Sequence, residues 1–205
     1  MPRPRSLNPA QLAAAALAVL DRDGLDGLSM RAVGKELGMS TMSLYRYVTD
    51  RGQLEELVVD LVLGLTEFEL PDGTPYERLR ILAERVREAV GAHSAVVPLL
   101  LIHRHKSIAS RQWGEVVLGV LTDAGFTGRA RVIAFRAYLS YVLGALQTGY
   151  HSPLAGAGTT ALREQEHFAV LAETAHAAGQ VSAEEEFREG LELLLRGFKD
   201  ATKGP

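Results

Sequence analysis

The chain has 205 residues, of which 47% are hydrophobic and 23% charged, with no cysteine and a formal net charge of −3 at pH 7. This composition indicates a globular protein of one or two domains and excludes a disordered chain, a disulfide framework and thiolate chemistry. No stretch approaches the roughly 20 apolar residues of a membrane span, and no signal-peptide pattern opens the chain, so we expect a cytoplasmic protein.

Charge is distributed unevenly along the chain. Residues 1–53 hold seven Lys/Arg and five Asp/Glu; subtracting these from the totals of 22 and 25 leaves 15 basic and 20 acidic residues in 54–205. The overall charge argues against a nucleic-acid binder, whereas a mildly basic segment attached to an acidic body is typical of a small DNA-reading module. An imbalance of this size can also arise by chance.

The first predicted helix has a clear beginning and end. Asn8 is its N-cap, Pro9 fits the first helical position, and Gln11 completes a capping box. Gly24 ends the helix. These signals predict a helix that precedes the most informative stretch of the chain, residues 29–53.

Two short amphipathic segments follow, one on each side of Gly38. Ser29, Ser40 and Asp50 are N-caps whose side-chain oxygens can accept the unpaired N–H groups of a first helical turn. Gly38 can supply the left-handed residue that ends a helix. Helix, tight glycine turn and helix is the order that lays a second helix in a DNA major groove.

The helix after the turn, predicted over 41–48, has two different faces. Leu44 and Val48 lie four residues apart and can pack inward. The other sides carry hydroxyls, a thioether, aromatic rings and a guanidinium, which suit base edges, thymine methyl groups and phosphates. The same pattern also fits an ordinary helical hairpin whose tyrosines cover the core. The outward residues are Thr41, Met42, Ser43, Tyr45, Arg46 and Tyr47.

Residues 8 to about 60 resemble the N-terminal domain of the tetracycline-repressor (TetR) family. The run from Leu28 to Val48, LSMRAVGKELGMSTMSLYRYV, carries the resemblance together with Arg51 and Leu54. It implies a homodimeric transcriptional regulator, usually a repressor, that a small molecule releases from a palindromic DNA operator. The chain departs from the family pattern at Gly52 and at Gly34, where we expect close packing against the first or third helix.

Seven side chains match positions of the family that contact DNA. One precedes the turn; three begin the recognition helix and would face bases; two more on that helix would hold phosphates or base edges; and one would grip phosphate at the start of the fourth helix. In this order they are Arg31; Thr41, Met42 and Ser43; Tyr45 and Tyr47; and Arg51.

The remainder of the chain is also predicted to be helical. We expect a fourth helix over 51–68, capping boxes at Thr74 and Ser182, and a broken or buried helix at 96–102, around Pro98. Further predictions are a helix over 111–123, a helix over 130–150 buried on several sides, a flexible loop over 152–160 and a helix over 162–178. The fold class is therefore all-α: a three-helix DNA-binding head with a helix-turn-helix, residues 1–53, joined to a larger helical ligand-binding and dimerisation domain, residues 54–205.

The last helix carries a broad apolar face, which can pack within one subunit or against a second one. Two copies of the head are needed to read half-sites about 34–36 Å apart. Residues 75–200 also resemble the family's C-terminal domain, in which the helix from Ala130 and the last helix would form an intersubunit four-helix bundle. Both considerations favour a dimer interface at Phe187, Leu191, Leu194, Leu195 and Phe198.

Polar-tipped side chains in the apolar helices of residues 75–170 are candidate linings of a ligand pocket, although each also fits an ordinary core or interface position. No histidines are matched to the positions with which the family recognises tetracycline and magnesium, so tetracycline is not predicted and the effector stays open. The candidates are Trp113, Tyr138, Tyr141, Gln147, Tyr150 and His151.

Catalytic motifs are missing from the sequence. His103 and His105 form a His-x-His pair that could bind a metal, but neither has a second histidine at the i, i+4 spacing of His-Glu-x-x-His. There is no glycine-rich phosphate loop and no Gly-x-Ser-x-Gly elbow. We therefore predict no enzyme, no metal site and no cofactor. The alternative function is a helical small-molecule- or metal-binding protein that no longer binds DNA.

Overall fold

The structure is a computed structural model that describes residues 7–151, 157–163 and 166–203, excepting the side chains of 148–151, 157–158 and 166. Within these ranges all regular structure is helical, which confirms the all-α prediction, and every helix is too short or too polar to span a bilayer. The helices are α1 Pro9–Gly27, α2 Met30–Glu36, α3 Thr41–Leu44, α4 Arg51–Gly64, α5 Pro75–Gly91, α6 Val97–His103, α7 Ile108–Asp123, α8 Gly128–His151, α9 Ala157–Arg163, α10 Ala169–Ala178 and α11 Ala183–Ala201, with 3₁₀ turns at Ser94–Val96 and Glu166–Phe168.

The chain packs as two compact units, residues 1–120 and 121–205. In the first unit α4 is central, because it packs against α1, α5 and α6. In the second unit α8 packs against α11, and α9 packs against α10. The functional division at residue 53 concerns roles rather than packing, and it stays a prediction.

Side-chain caps begin the helices where the sequence predicts them. In the first capping box the backbone N–H of Gln11 donates to Asn8 over 2.7 Å, and the Gln11 side chain accepts the backbone N–H of Asn8 over 3.1 Å. Such a pair satisfies two N–H groups that have no partner inside the helix. Further on, the backbone of α1 leaves the helical conformation at Gly24, as predicted. The same reciprocal box joins Thr74 to Glu77 and Ser182 to Glu185.

At 96–102 the structure decides between the two predicted alternatives, because α6 is a continuous helix whose Val97, Leu99 and Leu100 are buried. Pro98 does not break a helix: it lies in the first turn of α6, where its missing N–H has no intrahelical partner to lose. Of the predicted loop 152–160, residues 157–160 form the start of α9, while 152–156 lie outside the described residues.

The prediction of a single helix over 162–178 is also wrong. α9 ends at Arg163, and α10 begins at Ala169 after a 3₁₀ turn. The Arg163 guanidinium donates from Nε to the Ala175 carbonyl over 3.1 Å, so α9 folds back along α10. This contact between residues 12 positions apart has no counterpart in the local sequence pattern.

Burial of α8 on several sides is not observed within the single chain. Tyr138, Val142 and Leu146 are buried, but Val132 is 47% exposed and Ile133 is 53% exposed. The cause is that α8 packs against α11 on one side, which leaves part of its apolar circumference uncovered.

Candidate nucleic-acid interface

In the turn between α2 and α3, two backbone hydrogen bonds cap the C-terminal end of α2. Gly38 has φ 65°, the N–H of Met39 donates to the Gly34 carbonyl over 2.9 Å, and the N–H of Gly38 donates to the Lys35 carbonyl over 3.1 Å. These two bonds form a Schellman motif, which needs a left-handed residue that only glycine adopts without strain. Gly38 therefore determines the direction in which the chain leaves α2.

Gly34 lies where α2 passes the start of α3. A Cβ atom on Gly34 would be 3.0 Å from the Met39 carbonyl oxygen and 3.6 Å from the Thr41 backbone nitrogen. A larger residue would push α2 away from the first turn of α3. The close packing predicted for this glycine is confirmed, and its partner is the backbone at the start of the third helix.

The recognition segment is a shorter α-helix than predicted. Regular α3 covers Thr41–Leu44, with the Ser40 hydroxyl accepting the N–H of Ser43 over 3.2 Å. Beyond it, the N–H of Tyr47 donates to the Leu44 carbonyl over 2.9 Å, a three-residue bond of the 3₁₀ type. The segment to Val48 thus continues as a tighter turn rather than as α-helix.

The two predicted faces of this segment are present. Leu44 and Val48 are buried, whereas Met42 is 77% exposed, Tyr45 49% and Tyr47 41%. Three large apolar or aromatic side chains this exposed on so short a segment contribute little to the core. Their exposure argues against a hairpin whose tyrosines only cover the interior, and it is typical of an interaction surface.

Thr41 and Ser43 are half-buried at the start of α3, and Arg31 is exposed on α2. The structure therefore places all seven predicted DNA-contacting residues in the first unit, each with at least part of its side chain accessible. Their individual roles stay predictions.

Arg22, at the C-terminal part of α1, contributes to packing rather than to free positive charge. Its guanidinium lies 3.1 Å from Asp23 and 2.9 Å from Glu36, so it joins α1 to α2. Hydrogen bonds to these two carboxylates raise the pKa of Arg22. Arg22, Arg31 and Lys35 line one open groove of the first unit.

Arg51 is the first residue of α4 and is held on two sides. Its Nε donates to Glu55 over 2.6 Å, and its NH2 group donates to the Leu25 carbonyl over 3.0 Å. The preceding residue, Asp50, caps α4 by accepting the N–H of Gln53 over 2.8 Å, and this bond lowers the pKa of Asp50. Glu55 was not among the predicted site residues, although its i, i+4 spacing from Arg51 is a signal that could have revealed it.

Three polar contacts tie α4 to α6 and to the beginning of α7. They have lengths of 2.8, 2.5 and 2.6 Å. Of the His-x-His pair, His103 takes part in these contacts and is buried, whereas His105 is exposed. Within the described ranges, no group of three or more His, Cys, Asp or Glu residues is placed to hold a metal ion. The contacts join Glu55 to His103, Glu56 to Lys106, and Asp60 to Ser107.

The predicted pocket residues are found in different surroundings. Trp113 is buried in the first unit and donates from Nε1 to the Leu82 carbonyl over 3.4 Å. In the second unit Tyr138 is buried, Gln147 is exposed, and the half-buried Tyr141 has its hydroxyl 2.7 Å from the Phe187 carbonyl oxygen. The side chains of Tyr150 and His151 lie outside the described residues. The pocket stays a prediction.

The apolar face predicted on the last helix is directed into the second unit. The Phe198 ring lies edge-on to Phe126 at 5.5 Å between centroids, and the Phe187 ring lies 6.0 Å from that of Tyr141. Of the five predicted interface residues, Phe187, Leu191, Leu195 and Phe198 are buried within the chain, and Leu194 is half-buried.

Other aliphatic side chains of the same two helices are accessible. Leu193 on α11 is 64% exposed, and on α8 Val132 is 47% and Ile133 53% exposed. Sequence reasoning missed Leu193 because it does not lie on the strongest apolar stripe. The intersubunit role of the five predicted residues stays a prediction.

Two known families match separate stretches of the chain. Residues 12–54 match the family described as bacterial regulatory proteins, tetR family, and residues 69–202 match the tetracyclin repressor-like, C-terminal domain. The first match contains the helix-turn-helix, and the second contains α5 to α11.

Individual relatives agree with these matches. The chain is 34% identical to the transcriptional repressor DrrR1 of Streptomyces coeruleorubidus over 152 residues, which are 72% of this chain and 55% of DrrR1. It thus spans about half the length of DrrR1. It is 27% identical to the class D tetracycline repressor of Escherichia coli over 198 residues, which are 94% of this chain and 89% of that repressor.

Solved structures show the same fold. Apo ActR from Streptomyces coelicolor has a TM-score of 0.84 at 23% identity, with 98% of this chain and 99% of ActR covered. ActR in complex with actinorhodin has a TM-score of 0.82 at 23% identity, with coverages of 97% and 99%. With the helix-turn-helix geometry and both sequence matches in place, the chain belongs to the TetR family of DNA-binding transcriptional regulators.

Proposed function

We propose that this protein is a repressor that binds a palindromic operator as a homodimer and leaves it when a small molecule binds. The observation that carries the proposal is the face of α3: Met42, Tyr45 and Tyr47 are exposed on a capped segment whose inner residue, Leu44, is wholly buried. The name of the relative DrrR1, a transcriptional repressor, supports repression. Family members are generally not enzymes, so we propose no catalytic activity, and we propose a cytoplasmic location with the operator DNA.

The side chains of the α3 segment divide into those that read sequence and those that hold the backbone. Thr41 and Ser43 offer hydroxyls to base edges, and Met42 offers an apolar contact to a thymine methyl group. Tyr45 and Tyr47 can donate hydroxyl hydrogens to phosphate oxygens, which fixes the orientation without reading bases.

The two arginines act on phosphates. Arg31 on α2 and Arg51 at the start of α4 offer charge-assisted hydrogen bonds, which are about twice as strong as neutral ones. Each phosphate neutralised also releases counterions, so these contacts make the affinity depend on salt. Arg51 would supply one such contact in each subunit.

Release by a small molecule requires a second state of the dimer. ActR has been solved with actinorhodin bound, which supports a small-molecule effector for this relative of the same fold. An effector that favours a different spacing of the two heads weakens operator binding by at most its differential affinity for the two states. We propose that α4 transmits the change, because it begins at Arg51 and contacts His103 and Ser107 further along.

The transmission can be tested with a crosslink. Since the chain has no cysteine, a Glu56→Cys, Lys106→Cys pair would carry its only thiols, at two side chains that form a 2.5 Å ion pair. Once an effector is identified, bridging the two thiols should prevent it from displacing the operator. Displacement that persists in the bridged protein would exclude α4 as the transmitter.

The proposed function is tested by selecting duplexes from a random library and measuring the affinity of the winners against salt concentration. We expect a palindromic site and a steep salt slope. Arg51→Ala should weaken binding to all duplexes and, because it removes one phosphate contact from each subunit of the dimer, lower the slope by about two. Tyr45→Phe should also weaken all duplexes, with a smaller change in slope. Arg196→Ala, at an exposed arginine of α11, is the control and should change neither quantity.

Failure has a specific form. If the folded dimer recovers no duplex, and no salt-dependent binding is measured, the protein is the alternative: a helical small-molecule- or metal-binding protein whose head no longer binds DNA. The second unit would then be the place to search for its ligand.

A further inference from the structure

Glu55 shares its two carboxylate oxygens between two cationic partners. Oε1 accepts the Nε–H of Arg51 over 2.6 Å, and Oε2 lies 2.8 Å from Nε2 of His103. The Glu55 side chain is only 13% exposed and that of His103 only 7%, whereas the Arg51 side chain is 44% exposed and stays accessible. One carboxylate thereby connects a residue at the proposed DNA surface to a histidine of α6.

In this arrangement Arg51 keeps N–H donors that can bind a phosphate. A guanidinium has five N–H groups in a rigid plane. In the described part of the chain, Glu55 takes the Nε–H and the Leu25 carbonyl takes one NH2 hydrogen, so three N–H groups are unused. A guanidinium anchored on two edges loses less conformational entropy when it binds a phosphate than one free to rotate.

His103 lies between two carboxylates of α4. Its side chain is 7% exposed; beyond the Nε2 contact with Glu55, its Nδ1 is 3.7 Å from Oε1 of Glu56 and has no hydrogen-bond partner among the described residues. In a neutral ring that donates from Nε2, the lone pair of Nδ1 points towards the Glu56 charge. A second proton on Nδ1 turns that repulsion into attraction and makes the bond to Glu55 charge-assisted.

Other charged groups near His103 come from α4 and from the residues that follow α6. α6 packs against α4 and against the 3₁₀ turn Ser94–Val96, which has no titratable side chain. From α4 the ring faces Glu55 and Glu56; Lys106, which follows α6, lies 2.5 Å from Glu56 and partly neutralises it. Among the described residues, Arg51 is the one Lys or Arg side chain paired with Glu55, so the state of His103 acts most directly on the carboxylate that holds Arg51.

We propose that Glu55 and His103 are positioning residues for the phosphate contact of Arg51, and that protonation of His103 strengthens operator binding. The inference deepens the proposed function and rests on it. A protonated His103 fixes Glu55 and withdraws negative charge from Arg51, and both effects favour the phosphate. Because acid favours the protonated ring, operator affinity should rise as pH falls.

The test measures affinity for the selected operator duplex at constant ionic strength, at several values between about pH 5.5 and 8. The variants are His103→Gln, Arg51→Ala and the double variant, with His105→Gln as the matched control, because His105 is an exposed histidine two residues from His103. Glu55→Gln is a second variant of nearly unchanged volume. Thermal unfolding verifies that each variant is folded at each pH.

We expect His103→Gln to weaken binding about 3- to 10-fold at the acidic end, the size of a typical coupling between contacting residues, and to remove most of the pH dependence. Glu55→Gln should also flatten the pH profile, whereas His105→Gln should keep it. His103→Gln should lower the salt slope towards that of Arg51→Ala. In the Arg51→Ala background, replacing His103 should have little further effect.

Three results would overturn the inference. They are additive effects of the His103 and Arg51 replacements, a salt slope that His103→Gln leaves at the wild-type value, and a pH profile that His105→Gln alters as much as His103→Gln. If Arg51→Ala weakens binding while any of these holds, the proposed function stands and only this inference fails. If the wild-type protein binds no duplex, both fail.

Discussion

The two units expose different chemistry on their helices. In the first unit, the segment at α3 exposes a methionine and two tyrosines beside hydroxyls and arginines. In the second unit, α8 and α11 expose the aliphatic residues Val132, Ile133 and Leu193, which cannot make hydrogen bonds. The first set suits DNA, because DNA has charged phosphates and bases with polar and methyl-bearing edges. The second set suits another apolar surface. The two exposed sets therefore favour different partners, and we propose DNA for the first and a second subunit for the second.

The largest expected effect tests the second unit. Ile133→Asp places a charge on the exposed aliphatic side of α8 and should convert the dimer to a monomer, measured by sedimentation. Losing the second head should reduce operator affinity by about 100-fold or more, since two linked contacts bind far more tightly than one. Val181→Asp is the control, because Val181 is also 53% exposed in this unit. A dimer that survives Ile133→Asp would remove this side of α8 from the interface.

The next effect separates the inner and outer faces of α3. Leu44→Ala removes a wholly buried side chain and should destabilise the protein by about 2–5 kcal/mol, measured by urea unfolding. Met42→Ala, two residues away and 77% exposed, should change stability by no more than about 0.5 kcal/mol while weakening operator binding. Equal losses of stability would contradict the assignment of faces.

A smaller effect distinguishes residues within the proposed DNA surface. Thr41→Ala should change which operator is selected, with a loss of about 1–3 kcal/mol of discrimination at one base position. Tyr45→Phe, as a phosphate contact, should weaken all duplexes alike. Repeating the duplex selection with each variant measures the difference. If Thr41→Ala lowered all affinities equally, Thr41 would be excluded from base reading.

The smallest effect concerns a helix cap away from both surfaces. Two hydrogen bonds from Thr74 lower the pKa of Glu77 from its ordinary value of 4.5. The larger effect comes from the backbone N–H and the smaller from the hydroxyl. A lowered pKa means that the folded state favours the carboxylate, so this contribution is present above about pH 4.5 and is lost as pH falls further. Glu77→Gln should lower the melting temperature slightly at neutral pH and not at pH 3. The control is Glu88→Gln, at an exposed position of the same helix, which should show no such difference between the two pH values.

Predictions drawn from short-range chemistry agree with the structure. The three capping boxes, the left-handed Gly38 and the division of α3 into buried Leu44 and exposed Met42 all depend on groups within a few residues of one another. The outward positions of Thr41, Met42, Ser43, Tyr45 and Tyr47 follow from the same local pattern, whereas Arg31 and Arg51 came from the family resemblance. The family resemblance supplied their roles, which the experiments above are designed to test.

Predictions that required distant partners were less successful. The interruption between α9 and α10 depends on Arg163 meeting the Ala175 carbonyl, and no periodicity reveals it. The exposed side of α8 could not be distinguished from the buried side, because aliphatic residues occupy both.

The sequence by itself determined the all-α class, the helix-turn-helix and where its helices begin, because caps, glycine turns and apolar spacing act through bonds between near neighbours. Only the tertiary structure decided that Phe187 and Phe198 are directed into their own subunit and that Glu55 joins Arg51 to His103, 48 residues further along the chain. Contacts of that separation depend on how the helices pack, and many different packings are compatible with the same amphipathic pattern.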